Sequence, residues 1–154
     1  MEAKAYLRRI RELDELIANQ RWEVERLKIA AQGMSSYQET VIIDGVEMAM
    51  DKVQTSGNLQ RMADAVCNYV DIENRMAADL LTWETERQEI ITTLQALPVK
   101  QYTVLHRVYA KGKSLQDVAD EFDRSKSWAK EVHRRGIKSV QRTLDAREAA
   151  HKPS

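Results

Sequence analysis

Apolar residues recur at strict intervals of four and three along most of the first hundred positions. One series runs Tyr6, Ile10, Leu13, Ile17, Gln20, Val24, Leu27, Ala31. A second runs Leu59, Met62, Val66, Tyr69, Glu73, Met76, Leu80, Trp83, Arg87, Ile90, Leu94, Leu97. This is the heptad stripe of a helix that packs along a partner. Two such helices with a tether between them most simply fold back into an antiparallel, coiled-coil-like hairpin. Gly33 is expected to close the first helix, because glycine supplies the left-handed conformation of a C-terminal cap. The second helix is expected to start after Ser56-Gly57.

Laid antiparallel, the stripes put Leu27 near Met62, Leu13 near Met76 and Tyr6 near Trp83. Gln20 and Glu73 then enter the seam, with Arg21 close enough to neutralise Glu73. Polar residues in a seam cost stability but fix register and orientation, and Glu73 and Arg87 are read in that way. The second helix would be about 58 Å long at 1.5 Å per residue, too long for the first to cover. The surplus apolar surface is expected to meet the C-terminal unit or a second subunit, which points to a homodimer through the long helices. Between them, residues 33–58 read as an irregular connection. Its Asp44-Gly45 dipeptide, flanked by β-branched and apolar residues, is also compatible with a short hairpin.

Composition agrees with an all-α chain. Charged residues make up 31 % and aromatic residues only 6 %, and five glycines with two prolines leave few of the turns an all-β fold needs. No apolar run approaches the ~20 residues of a membrane span. The single Cys67 excludes an internal disulfide and a cysteine-based zinc site. The chain reads as cytoplasmic, with no cofactor and no metal. A glycine-rich phosphate loop, a ligand cluster and a nucleophile beside a base are all missing from the sequence, so an enzyme is not expected.

The net charge of zero hides a division. Residues 1–97 hold 11 Lys and Arg against 17 Asp and Glu, a net of −6; residues 98–144 hold 11 against five, a net of +6. A compact basic segment beside an acidic one marks the C-terminal part as the one that meets a polyanion. Leu97-Pro98 ends the long helix and starts another, with Val99, Tyr102, Leu105, Val108 and Tyr109 on its face. After the turn at Lys111-Gly112-Lys113, Ser114 caps a short helix, with Asp117 three residues on in the place of a capping box. Asp123-Arg124 turns the chain, and Ser125 caps a helix expected over about 125–144. Short helix, tight turn and serine-capped second helix form the helix-turn-helix pattern. Small residues at 119, 129 and 136 suit a close helix crossing.

On a helical wheel the last helix turns Ser127, Lys130, Glu131, Arg134 and Lys138, with Gln141 beside them, away from Ala129, Val132 and Gly136. Lys130 and Arg134 suit guanine O6 and N7, Glu131 suits cytosine N4, and Ser127 serves either role. Lys126 and the free amides of the first turn suit a phosphate; Lys113 and Arg124, on the neighbouring turns, suit backbone contacts. The plain alternative for this face is a solvated helix surface. Trp128 is expected against the long helix or the first helix of this unit, His133 near a phosphate, and Cys67 half-buried.

The stretch LPVKQYTVLHRVYAKGKSLQDVADEFDRSKSWAKEVHRRGIKSVQRTL resembles region 4 of sigma factors, in its Leu-Pro helix start, its glycine turn and its serine-capped last helix. Where that family usually has glycine in the second turn, this chain has Asp123. With YLRRIRELDELI and KVQTSG ahead of it, the whole resembles short phage regulators of the RinA and ArpU kind. The resemblance implies sequence-specific binding to double-stranded DNA in transcription regulation, with contact to RNA polymerase. The expected division is a helical hairpin at 1–97, a three-helix helix-turn-helix at 98–144 and a C-terminal tail at 145–154. Rival readings are a DNA-recognition subunit of the small-terminase kind and a protein adaptor that docks RNA polymerase.

Overall fold

The computed structural model describes residues 1–43 and 52–151, the side chains of 34–43 and 52–58 excepted. All the elements among the described residues are helical: α1 (Ala3–Ile43), α2 (Lys52–Gln95), α3 (Val99–Leu105), α4 (Leu115–Glu121) and α5 (Lys126–His151). Helix α3 runs on into one π-helical turn, His106–Ala110. No helix among them is long and apolar enough to cross a membrane.

The chain divides into two compact units, and the division cuts both long helices. One comprises Met1–Leu16 with Trp83–Ser154; the other is Ile17–Thr82.

In the first unit, Leu7, Ile10 and Leu13 of α1 and Leu94 of α2 are fully buried, as are Val104, Leu105, Val118 and Val140 from the C-terminal helices. The first turn of α1 is fixed by the far end of the sequence. Gln141 of α5 accepts from the Ala3 amide through Oε1 (2.8 Å) and donates to the Met1 carbonyl through Nε2 (2.9 Å). That satisfies an amide which the helix itself leaves without a partner. Arg147 of α5 donates to Thr93 Oγ1 (2.8 Å) and to Tyr6 Oη (3.3 Å), joining three helices at one point. Arg9 makes a forked pair with Glu86 (2.9 and 3.3 Å), and Arg87 pairs with Asp14 at 2.6 Å.

The second unit is a pair of helices with little interior. Of its residues with described side chains, Ile17 alone counts among the buried apolar core. Tyr69 Oη donates to the Leu27 carbonyl at 2.6 Å, and Gln20 Nε2 to the Met76 carbonyl at 3.5 Å.

These partners fall on α2 in reverse order along α1, but one heptad away from the expected register. Leu27 faces Tyr69 instead of Met62, and Gln20, which the expected register sets opposite Tyr69, faces Met76; Tyr6 reaches Thr93, not Trp83. A heptad stripe is unchanged by a slip of seven, so apolar spacing cannot choose between the two. The polar pairs Arg9–Glu86, Asp14–Arg87 and Tyr69–Leu27 exist only in the observed one.

Other expectations change as well. Helix α1 does not stop at Gly33 but runs through it to Ile43, and α2 begins at Lys52, so 33–43 and 52–58 are helical, not an irregular connection. A lone glycine costs a helix about 1 kcal/mol, which does not by itself end a long one. Thr40–Ile43 are thus not a strand, and the Asp44-Gly45 turn lies outside the described residues. The expected tail at 145–154 is helical through His151. Cys67 is exposed.

Helices α3, α4 and α5 close the first unit, with α5 packed on both of the others. Ser114 Oγ accepts from the Asp117 amide at 3.1 Å while Asp117 Oδ2 accepts from the Ser114 amide at 3.4 Å, a complete capping box. Gly136 is the close approach of α5 to α3: a Cβ there would lie 2.8 Å from Leu105 Cδ1 and 3.1 Å from Cγ. Because Leu105 is fully buried, it has nowhere to move. Gly136→Ala should therefore lower stability by roughly 1–2 kcal/mol, overpacking outweighing the ~1 kcal/mol gain in helix propensity. Denaturant unfolding measures this, and an unchanged or higher midpoint would mean that Leu105 yields.

Candidate nucleic-acid interface

Helix α4 ends in a left-handed turn that aims α5. Asp123 has φ +52°, the Arg124 amide donates to the Ala119 carbonyl (2.8 Å), and the Asp123 amide to that of Asp120 (3.3 Å). This is the Schellman arrangement, which normally uses glycine at the left-handed position; aspartate is among the few other residues that tolerate it. Ser125 follows as the cap of α5, its Oγ accepting from the Trp128 amide at 3.1 Å.

Beyond the cap, α5 buries Ala129, Gly136, Val140 and Leu144 along one line. Val132 is only half-buried. The opposite face carries Ser127, Lys130, Glu131, Arg134 and Lys138, with Lys126 in the first turn. All of these are exposed except Glu131, which is half-exposed. The candidate residues on α5 therefore share one surface, and Lys113 and Arg124 lie on the two turns flanking α4.

Their charges are not equally available. Glu131 binds Arg134 through both oxygens (2.6 and 3.0 Å) and also accepts from Arg135 Nε at 3.0 Å. The Arg134 guanidinium, with Arg135 helping, holds the Glu131 carboxyl down to about 2, so it stays ionised at any physiological pH. Lys113 pairs with Glu121 (3.0 Å), which also accepts from Arg107 (3.1 Å); Lys113 first and Arg107 second hold that carboxyl below its usual range. Arg124 lies 5.6 Å over the Trp128 ring. Among the described residues, Lys126, Lys130 and Lys138 form no ion pair.

Three residues differ from expectation: Gln141 and His133 leave this surface, and Trp128 is against neither the long helix nor the first helix of the unit. Gln141 is occupied at the start of α1 and takes no part in this surface. Trp128 packs on Phe122 of the turn (ring centroids 6.1 Å apart). His133 turns inward, with Nε2 2.9 Å from Tyr109 Oη and its ring stacked on that of Tyr109. Arg135 was missed, although a glutamate followed by arginines at i+3 and i+4 is a readable helix pairing signal.

Comparison with curated proteins finds the RNA polymerase sigma factor SigO of Bacillus subtilis (strain 168), 27 % identical over 74 residues, 48 % of this chain and 42 % of that protein. The chain thus spans less than half the length of that relative. No protein-family model matches the chain, and no solved structure matches it. The chain contains a sigma-factor-like region within an all-helical fold.

Burial, with the charge of Lys4 adding to it, lowers the His133 pKa below 6.5; burial, then Arg107, Lys111 and Arg87, does the same for His106. Both histidines therefore hold a proton less readily in the folded state, and below pH 6.5 unfolding takes up protons. Their contribution is present above pH 6.5 and is lost as pH falls through the depressed folded values. The melting temperature should drop on acidification below pH 6.5, and His133→Gln should flatten part of that drop. An unaltered slope would mean that His133 titrates alike in both states. Separately, Asp123→Gly should raise stability by about 0.5–1 kcal/mol by relieving the left-handed residue; a lower thermal midpoint would show that the carboxylate contributes more than its backbone strain costs.

Proposed function

We propose that this protein binds double-stranded DNA in transcription, with α4, the Asp123 turn and α5 acting as a helix-turn-helix of the sigma region 4 kind. The observation that carries the reading is the two-sided character of α5. One line of small and apolar residues is buried, and the opposite line offers Ser127, Lys130, Glu131, Arg134 and Lys138 directly after a serine cap. A helix with that division can lie in a major groove while its inner side holds it to the domain. Lys130 and Arg134 would donate to guanine, Glu131 would accept from cytosine, and Lys126 with the first-turn amides would hold a phosphate. Arg124, over the Trp128 ring, would donate to a backbone oxygen, whereas Lys113 would have to exchange Glu121 for a phosphate.

Similarity to a protein named as an RNA polymerase sigma factor supports the transcriptional reading and makes the polymerase a proposed partner. The narrower reading, a regulator of the phage RinA and ArpU kind, rests on the sequence pattern. A second reading has its own observation. Glu131 and Glu121 neutralise much of the basic surface in the free protein, which suits an adaptor that docks a protein better than a pure phosphate binder.

Fluorescence anisotropy with labelled random duplex DNA at two salt concentrations separates them. For DNA binding, affinity falls steeply with salt, because each phosphate neutralised adds about 0.9 to the logarithmic slope. Arg134→Ala and Lys130→Ala should each weaken binding to a selected site by about 1–3 kcal/mol without loss of helicity. Absence of binding at low salt would favour the adaptor, and wild-type affinity in both variants would remove this face of α5 from the contact.

A further inference from the structure

Helix α2 has a second apolar stripe that α1 does not use. Tyr69 and Met76 mark the side facing α1, and Met62 and Leu80 share it as half-buried residues. About 110° around the helix, at 100° per residue, lie Leu59, Ala63, Val66, Val70, Asn74, Ala77 and Leu81. All seven are exposed, Leu59 and Leu81 by 64 % and 69 % and Val66 and Val70 by 43 % and 47 %. They fall within an arc of about 80° along roughly 33 Å of helix. No charged residue falls in that arc, and Gln60, Cys67 and Ala78 extend the uncharged strip on one side.

The order of the stripe is what identifies its occupant. Its steps are 4-3-4-4-3-4, the same in either direction about Val70. Reversing the stripe puts Leu59 on Leu81, Ala63 on Ala77 and Val66 on Asn74, and leaves Val70 on itself. An antiparallel two-fold pairing centred on Val70 requires this, since residue i of one copy meets j of the other while j meets i. The eleven-residue repeat Leu59, Val70, Leu81 keeps the stripe nearly straight on an ordinary helix, so it stays in line over its whole length. Charge agrees: an uncharged strip matches another uncharged strip, not an acidic or basic partner. The need agrees too, because the Ile17–Thr82 unit has only Ile17 in the buried apolar core among its described side chains, with Trp22 and Ile29 of α1 also exposed.

We propose that two copies of this chain associate through this face of α2, antiparallel, with the two-fold axis at Val70. The small residues Ala63 and Ala77 allow the backbones to approach closely at the two points flanking the axis. The proposal concerns a surface remote in sequence from the candidate DNA-binding residues and stands or falls independently of that reading.

The test is the molar mass of the full chain by light scattering over a dilution series, for wild type and Val70→Glu. The expected result is twice 17.8 kDa for wild type. Val70→Glu, which sets two like charges at the axis, should weaken association by about a hundredfold or more, with helical circular dichroism retained because Val70 is not part of the core. Orientation is read by oxidation in a Cys67→Ser background: Ala63→Cys mixed with Ala77→Cys should cross-link between the two variants, and neither alone. A wild-type mass of 17.8 kDa throughout, an undisturbed dimer in Val70→Glu, or cross-linking of Ala63→Cys to itself would each overturn the proposal. The first of these would leave the face to a different protein.

Discussion

The attachment of the first turns of α1 to the last helix of the chain is the interaction on which the first unit depends. Ala3, Leu7, Ile10 and Leu13 are buried there, and Gln141 and Arg147 reach from α5 to the backbone of residues 1 and 3 and to the Tyr6–Thr93 pair. Helices as short as α3 and α4 are marginal by themselves, and they gain stability by packing on α5. The long helices thus give the small ones something to fold against. Loss of the first sixteen residues would uncover buried leucines and isoleucines and leave polar ends of α5 without partners.

Local chemistry was the most legible part of this sequence. Ser114, Ser125 and the small residue at 136 each specify a structure within a few positions of themselves, and each is found in the expected role. The all-helical character follows from periodicity for the same reason. Decisions that depend on distant residues were not legible. The stripe could not fix the register, since every seventh residue offers the same face. It also missed Leu7 and Ile91, which are buried because the helix ends in this unit are covered on more than one side. Gln141 looked like a groove-facing residue on the wheel, because a wheel carries no information about the amino terminus of α1.

The candidate surface shows the same boundary. Which side of α5 faces outward was readable from its buried line; which cations on it are free was not read, although Glu131 pairs with arginines at the ordinary helical spacing. The consequence is electrostatic. The +6 segment presents unpaired lysines at 126, 130 and 138, while much of its arginine charge is held by carboxylates. The net +6 already counts those carboxylates, so pairing changes not the sum but its location, concentrating the field a polyanion would meet on the free lysines. Exposed pairs of this kind are weak and screened by salt, so they modulate an encounter rather than forbid it.

The π-helical turn at His106–Ala110 bears on how this chain tolerates changes of length. The Lys111 amide reaches back five residues to the His106 carbonyl, and the Lys113 amide six to that of Arg107, so one residue more than an α-helix requires is looped into the ladder before Gly112. Elsewhere in these helices, losing a residue would rotate everything beyond it by about 100° and turn buried side chains to solvent. Within these five positions a single deletion would instead return the ladder to regular α spacing, with the flanking residues kept in phase. The turn is a reserve of one residue ahead of Gly112, where the chain could lose one residue without re-aiming α5.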